Sequence, residues 1–364
     1  MNVLLLGASG TFGRRTASEL LRTGAVRGLT LAGRNGGKLE RLRARLQGRA
    51  SLEIAAFDIN DRDELARRFS VHDRVVSCAG PAYLLEEACV DAAVRSGTSY
   101  VSLNDDLEAA SAVAARDDEA RERGVTIISG CGAAPGITNL LIALAAEQLE
   151  EVHEVEVAIG ASSADGGGPA TDLHFIAMLA RATRSARADD DGSRSPHPVY
   201  FPDPVGWVET FPCGHPEELA VRREHPSLAS FRFRIGLAEK AVMDVIRASV
   251  ATRVTATETG RRLWLKIAQP TRPLLEKLSA GAAPWTALRT DVRGRSGGRS
   301  KTISYGVVDH LVNLASIPLA LAATELPPGG GGVSSPERTF ESQRFLSAIA
   351  TRGVRFAQLQ PHAW

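Results

Sequence analysis

Three glycines, Gly7, Gly10 and Gly13, stand three residues apart directly after the apolar run Val3-Leu4-Leu5-Leu6. The segment reads Gly7-Ala8-Ser9-Gly10-Thr11-Phe12-Gly13, and a helical pattern follows over 14–22. A buried strand that turns through small residues into a helix presents free backbone N–H groups and the positive end of the helix dipole. That chemistry suits an anion, and in a strand–turn–helix context it suits the pyrophosphate of a dinucleotide. Gly7, Ser9, Gly10, Thr11, Phe12 and Gly13 are therefore the first candidate binding residues.

A second group lies at the end of the next apolar run, Gly33-Arg34-Asn35. A protein that selects NAD places a carboxylate there to hold the ribose 2′-OH. Here none is present, and Arg34 is suited to fork onto a 2′-phosphate, with Ser9 and Lys38 to help. Such a charge-assisted contact is worth about 1.5–3 kcal/mol, roughly a tenfold to hundredfold preference for NADP. Asp58 and Ile59 follow the third run, where Asp58 either meets the adenine or caps the helix that starts near Asp61. Cys78, Ala79, Gly80 and Pro81 end the fourth run, and their small side chains let the backbone border the nicotinamide half. Cys131 reads as a small packing residue close to the cofactor.

The elements that must position these residues alternate. Strand patterns at 3–6, 29–32, 52–57, 74–79, 99–103 and 125–129 are separated by helical patterns at 14–22, 38–46, 63–69, 83–95 and 107–123. Continuous apolar strands in a β-α-β-α rhythm predict an α/β fold with a doubly wound parallel sheet, which binds ligands at the carboxyl ends of its strands. After Pro135-Gly136 the pattern changes. A helix is expected over 137–149, a half-buried strand over 155–159, a helix over 170–184 after Gly166-Gly167-Gly168-Pro169, and a loop over 188–198. A strand over 231–235 and a hairpin of 286–293 with 301–307 follow. This predicts a second α+β domain with a mainly antiparallel sheet. The expected division is 1–136, 137–325, and a C-terminal segment 326–364, helical over 336–354, packing back on the first domain.

Composition narrows the partners. Hydrophobic residues make up 44% and charged residues 23%, which allows an ordinary buried core. A net charge of +1 argues against nucleic acid or an anionic membrane surface as partner. The apolar stretch 311–323 is too short to span a bilayer and contains Pro318. Four cysteines form no C-x-x-C pair, and His197, His215 and His225, each before a proline, have no metal-ligand spacing. The chain opens on its first strand, so no signal peptide is expected and a cytoplasmic setting follows.

GASGTFG, AGRN, VVSCAGPAYLLEEACVDAAVRSGTSYVSL and GCGAAPGITNLL together resemble the saccharopine dehydrogenase family of NADP-binding type. GGGPATDLHFIAML and GVSSPERTFESQRFLSAIATRGV resemble its later segments more loosely. The resemblance implies a Rossmann domain, an inserted α/β domain that supplies the substrate cleft and a homodimer contact, and NADPH-dependent reduction of an imine or carbonyl. The substrate would be a small amino-acid-like molecule bearing a carboxylate. The alternatives are an NADP-binding redox sensor without turnover and an amine or alcohol dehydrogenase working oxidatively. No Tyr is followed four residues later by Lys, which disfavours short-chain-type chemistry. The family's Tyr-Val-Asp-Leu is Tyr100-Val101-Ser102-Leu103 here, so its acidic residue is lost. Ala134 precedes Pro135-Gly136, where saccharopine-forming members carry an acid.

Hydride transfer to an imine needs a positioned substrate and one proton. Asp106 is the candidate carboxylate in place of the lost one, Tyr83 a hydrogen-bond donor over the nicotinamide, and His174 a proton donor. Arg222, Arg223, Arg232 and Arg234 are candidates for a substrate carboxylate.

Overall fold

The computed structural model describes residues 1–185, 196–252, 254–268, 270, 284–327 and 329–361. Its first strands are β1 (Asn2–Leu6), β2 (Gly28–Gly33), β3 (Ser51–Ala56), β4 (Arg74–Ser77), β5 (Ser99–Ser102) and β6 (Thr126–Ser129). Then come β7 (Glu151–Ala161), β8 (His197–Phe201), β9 (Gly206–Pro212), β10 (Ser230–Leu237), β11 (Thr286–Ser296), β12 (Arg299–Asp309), β13 (Gly332–Ser334) and β14 (Arg355–Leu359). They form two seven-stranded sheets, ordered β13-β6-β5-β4-β1-β2-β3 and β14-β12-β11-β7-β10-β9-β8.

Every pairing in the first sheet is parallel. Leu4, Leu5, Leu31, Val75, Val76, Tyr100 and Ile127 have no exposed surface, as expected of strands covered by helices on both faces. The connection from β1 goes to β2 on one side, and β4 pairs with β1 on the other. The strand order therefore reverses beside β1, and a crevice opens there beyond the carboxyl ends.

The two contact units are 1–140 with 312–352, and 141–311 with 353–364. This differs from the sequence division at 137 and 326. Helix Leu311–Glu325, buried from Leu314 to Ala323, is a core helix that groups with the first unit. The tail also splits. Helices Pro336–Thr339 and Ser342–Ala350, within the stretch expected to be helical, stay with the first unit, while Arg355–Leu359 is the strand β14 paired with β12. The single helix expected over 107–123 is two, Leu107–Ala114 and Asp117–Glu122, because the acidic run at Asp117 starts a new helix end.

In the second sheet β7 and β10 run parallel and the other pairs are antiparallel. The expected loop over 188–198 lies in part outside the described residues, and its end is already in β8. One face of this sheet carries buried charge. Arg289 makes two bonds to Asp291, at 2.7 and 2.9 Å, and Ser304 donates to the same carboxylate. Arg234 is fully buried, and Arg232 is bonded to Glu156 and Glu154. Arg232 is partly exposed, and Arg222 is paired with Glu218.

Candidate functional site

Gly7 follows β1 with φ +70°, and a Cβ there would lie 2.7 Å from the Cys78 carbonyl oxygen. A Cβ on Gly13 would lie 2.2 Å from the Gly7 carbonyl oxygen. The turn is therefore pressed between the end of β4 and its own helix, Thr11–Arg22, at a distance only glycine permits. Gly10 caps that helix without any side-chain hydrogen bond, and its first turn holds no acid. Ser9, Thr11 and Phe12 are partly exposed and Gly10 is exposed, so this helix end is open to an anion.

The second group converges on the first. A Cβ on Gly33 would lie 3.8 Å from Ser9 Oγ, so the ends of β1 and β2 meet. Arg34, Asn35 and Lys38 are exposed. The Asn35 side chain accepts the Lys38 N–H at 2.9 Å and caps helix Gly36–Arg43, which fixes the turn that carries Arg34. Neither Arg34 nor Lys38 enters an ion pair among the described residues, so both cations face solvent unneutralised.

Cys78, Ala79, Gly80 and Pro81 lie beside Gly7 at the carboxyl end of β4. Cys78 Sγ lies 3.4 Å from Thr16 Oγ1, and burial pushes the thiol up to about 12. It is a packed thiol and no nucleophile. Tyr83, partly exposed, sits in the first turn of the helix Ala82–Ser96 that follows.

Other sequence candidates land elsewhere. Asp58 accepts the backbone and side-chain N–H groups of Asn60 at 3.0 and 2.9 Å, while Asp61 caps helix Arg62–Ser70. Asp58 is thus an exposed turn former, not the helix cap, and Ile59 packs on the hydrophobic core. Cys131 has no exposed surface, and its thiol points to the Pro318 carbonyl at 3.8 Å; burial raises it further than Cys78. It packs from beneath and presents nothing to a ligand. Asp106 is 1% exposed, and its Oδ1 caps helix Leu107–Ala114 by accepting the Ala109 N–H. His174 is 6% exposed on helix Pro169–Ser185 of the second unit, among buried Leu173, Ile176 and Ala177.

The carboxyl group that the sequence reading missed is Glu86. It is 3% exposed on helix Ala82–Ser96 and lies across the carboxyl ends of β5 and β6. Its Oε1 accepts Ser102 Oγ at 2.5 Å and Ser129 Oγ at 2.9 Å, and Oε2 accepts Tyr100 OH at 2.9 Å. Asn104 extends the network, donating to Ser129 and accepting the Asp106 N–H. Burial raises the Glu86 carboxyl above the ordinary glutamate range, against the pull of the three hydroxyls. Ser102, the residue that stands where the family resemblance expects an acid, thus points at one. The signal in the sequence was the register: Glu86 shares a helix face with Cys89 and Val90, which are buried, while its neighbour Glu87 is exposed.

No group of three His, Cys, Asp or Glu suited to a metal occurs among the described residues, and no helix there is long and apolar enough to cross a membrane.

Comparison with known proteins agrees with this geometry. Residues 3–128 match the model of the saccharopine dehydrogenase NADP binding domain. The chain is 23% identical over 335 residues to the carboxyaminopropylagmatine dehydrogenase of Synechocystis, covering 86% of this chain and 83% of that one. Its fold is similar to that of the L-Glu-forming saccharopine dehydrogenase of Saccharomyces cerevisiae, with TM-score 0.63, 14% identity, and 99% and 100% of the two chains covered. An amine dehydrogenase of Mycobacterium smegmatis is similar at TM-score 0.52 and 12% identity, over 93% and 95% of the chains.

Proposed function

From the match of residues 3–128 to the saccharopine dehydrogenase NADP binding domain, we propose that this chain reduces an imine or carbonyl of a small amino-acid-like substrate with NADPH. The protein is an NADP-binding oxidoreductase of that type. The residues at the ends of β1, β2 and β4 fit the cofactor. The Gly7–Gly13 turn leaves a backbone cradle that a Cβ would fill, the Gly10 helix end carries no competing cap, and Arg34 and Lys38 stand exposed without carboxylate partners. When bound, NADPH supplies the hydride. The turn holds the pyrophosphate, Arg34 with Ser9 and Lys38 selects the 2′-phosphate, and the small residues 78–81 admit the nicotinamide half.

The single observation that carries this reading is the exposed, unpaired Arg34 at a β2 end that lacks an acid. The substrate class is supported by the similarity over most of the chain to a carboxyaminopropylagmatine dehydrogenase. Fluorescence titration should show NADPH binding about tenfold to a hundredfold tighter than NADH. Arg34→Ala should lose most of that preference while its melting temperature stays unchanged. Equal affinity of the wild type for both cofactors overturns the role of Arg34. NADPH oxidation with panels of amine plus α-keto acid or aldehyde tests the reaction. Tight NADPH binding with no turnover over a broad panel would favour a sensor.

A further inference from the structure

The helices that follow β1 and β2 carry one acid each, and both acids are already taken. Glu19, 1% exposed on helix Thr11–Arg22, is held by Arg15 at 2.9 Å, Arg22 at 3.2 Å and Arg352 at 3.0 Å. Glu40, on helix Gly36–Arg43, pairs with Arg43 at 2.8 Å. The charge left over around the two helix starts is positive. Arg14, Arg34, Lys38 and Arg41 are all exposed, and none of them enters an ion pair among the described residues.

Arg14 is placed by its helix. A helical side chain leans toward the N-terminus of its own helix. Arg14 is the fourth residue of helix Thr11–Arg22, and it turns back until its Nη1 lies 3.5 Å from the Ser9 carbonyl oxygen. Ser9 is also the residue whose hydroxyl faces the end of β2, 3.8 Å from a Cβ on Gly33. Arg34 follows Gly33 directly. The Arg14 guanidinium is therefore tethered on the side of the glycine turn that meets the β2 end. Arg41 folds back in the same way on the second helix, with Nη1 3.7 Å from a Cβ on Gly37 in the first turn.

Cations gathered at the positive ends of two helices repel those ends and one another. No acid stands in the first turn of either helix to offset them. An anion from outside relieves that arrangement, and a phosphate dianion relieves it far more than an uncharged ribose hydroxyl does. A guanidinium is the better partner for it, because its planar fork of N–H donors matches phosphate oxygens where an ammonium offers a point charge.

We propose that Arg14 is a second specificity residue for NADP, gripping the 2′-phosphate from the side of the glycine turn while Arg34 grips it from the side of β2. The proposal rests on the reading that the end of β2 selects NADP through Arg34. It assigns Arg14 to the phosphorylated ribose and not to the pyrophosphate, which NAD and NADP share.

Calorimetric titration of the full chain with NADPH, NADH, adenosine 2′,5′-bisphosphate and AMP separates the two assignments. Arg14→Gln should raise the Kd for NADPH and for the bisphosphate about tenfold, the loss of one charge-assisted contact, and leave NADH and AMP within about twofold. Its melting temperature should match that of the wild type, because the side chain it shortens is exposed. Equal weakening of NADPH and NADH would put Arg14 on the pyrophosphate and overturn the proposal. Unchanged Kd values for all four ligands would overturn it as well. In either case an Arg34→Ala protein that still loses its preference for NADPH leaves the reading of the β2 end in place. A wild-type chain that binds NADPH and NADH alike removes that reading, and the proposal with it.

Discussion

At the residue scale, the carboxyl group that lies across the ends of β5 and β6, Glu86, escaped the sequence reading for a physical reason. A carboxylate is recognised from sequence by its neighbours along the chain. Glu86 is defined by Tyr100, Ser102 and Ser129, which come 14 to 43 residues later in the chain. Asp106 and Asp58, by contrast, sat at strand ends and satisfied backbone N–H groups within a few residues, the ordinary use of aspartate in loops. Glu86 also leaves a signature in stability. Burial raises its carboxyl, so the folded protein keeps a proton that the unfolded chain releases above about pH 4.3. The associated stability is whole below that pH and is lost as pH climbs toward the folded-state value. Glu86→Gln preserves shape and cannot ionise, so its melting temperature relative to wild type should rise between about pH 4 and pH 8. Scanning fluorimetry across that range reads it, and a difference that ignores pH would refute it. Glu86→Ala, which strands three buried hydroxyls, should destabilise at every pH by about 3 kcal/mol or more.

At the element scale, the first six strands were legible because each is a short apolar run closed by glycine or a polar turn. β8 and β9 were not. Their sequences, His197–Phe201 and Gly206–Pro212, contain prolines and polar residues and pair with each other before joining β10. Helix Leu311–Glu325 has a different importance. Its Ser316 Oγ donates to the Phe12 carbonyl at 3.0 Å and so braces the glycine turn from behind. Ser316→Ala removes one hydrogen bond of about 1 kcal/mol. We expect the Kd for NADPH to rise about fivefold, measured by titration, with the fold intact. An unchanged Kd would show that the turn holds its shape alone.

At the scale of the whole molecule, periodicity revealed the kinds of element and not the route of the chain. The division near 137 follows a change in pattern, whereas the return of 312–352 to the first unit depends on contacts between residues far apart. Cutting the chain after Arg352 tests this division. It removes β14 from the edge of β12 and the Gln360 carbonyl that accepts from Arg289 at 2.8 Å. The truncated protein should melt at lower temperature and still bind NADPH with nearly native affinity. Loss of cofactor binding would contradict the placement of the whole nucleotide site in the first unit.

The strand β13 has a consequence for the order in which the protein is made. It completes the first sheet by lying beside β6, pinned through the Val333 N–H on Asp117. Yet it leaves the ribosome some two hundred residues after β6, with all of 141–311 in between. Through that interval the nascent sheet has a bare edge at Thr126–Ser129, with open backbone donors and acceptors that a neighbouring chain is able to pair. Synthesis of the second unit is therefore the interval in which this protein is most exposed to misassembly, and a helper that covers a single strand edge is the help it would need.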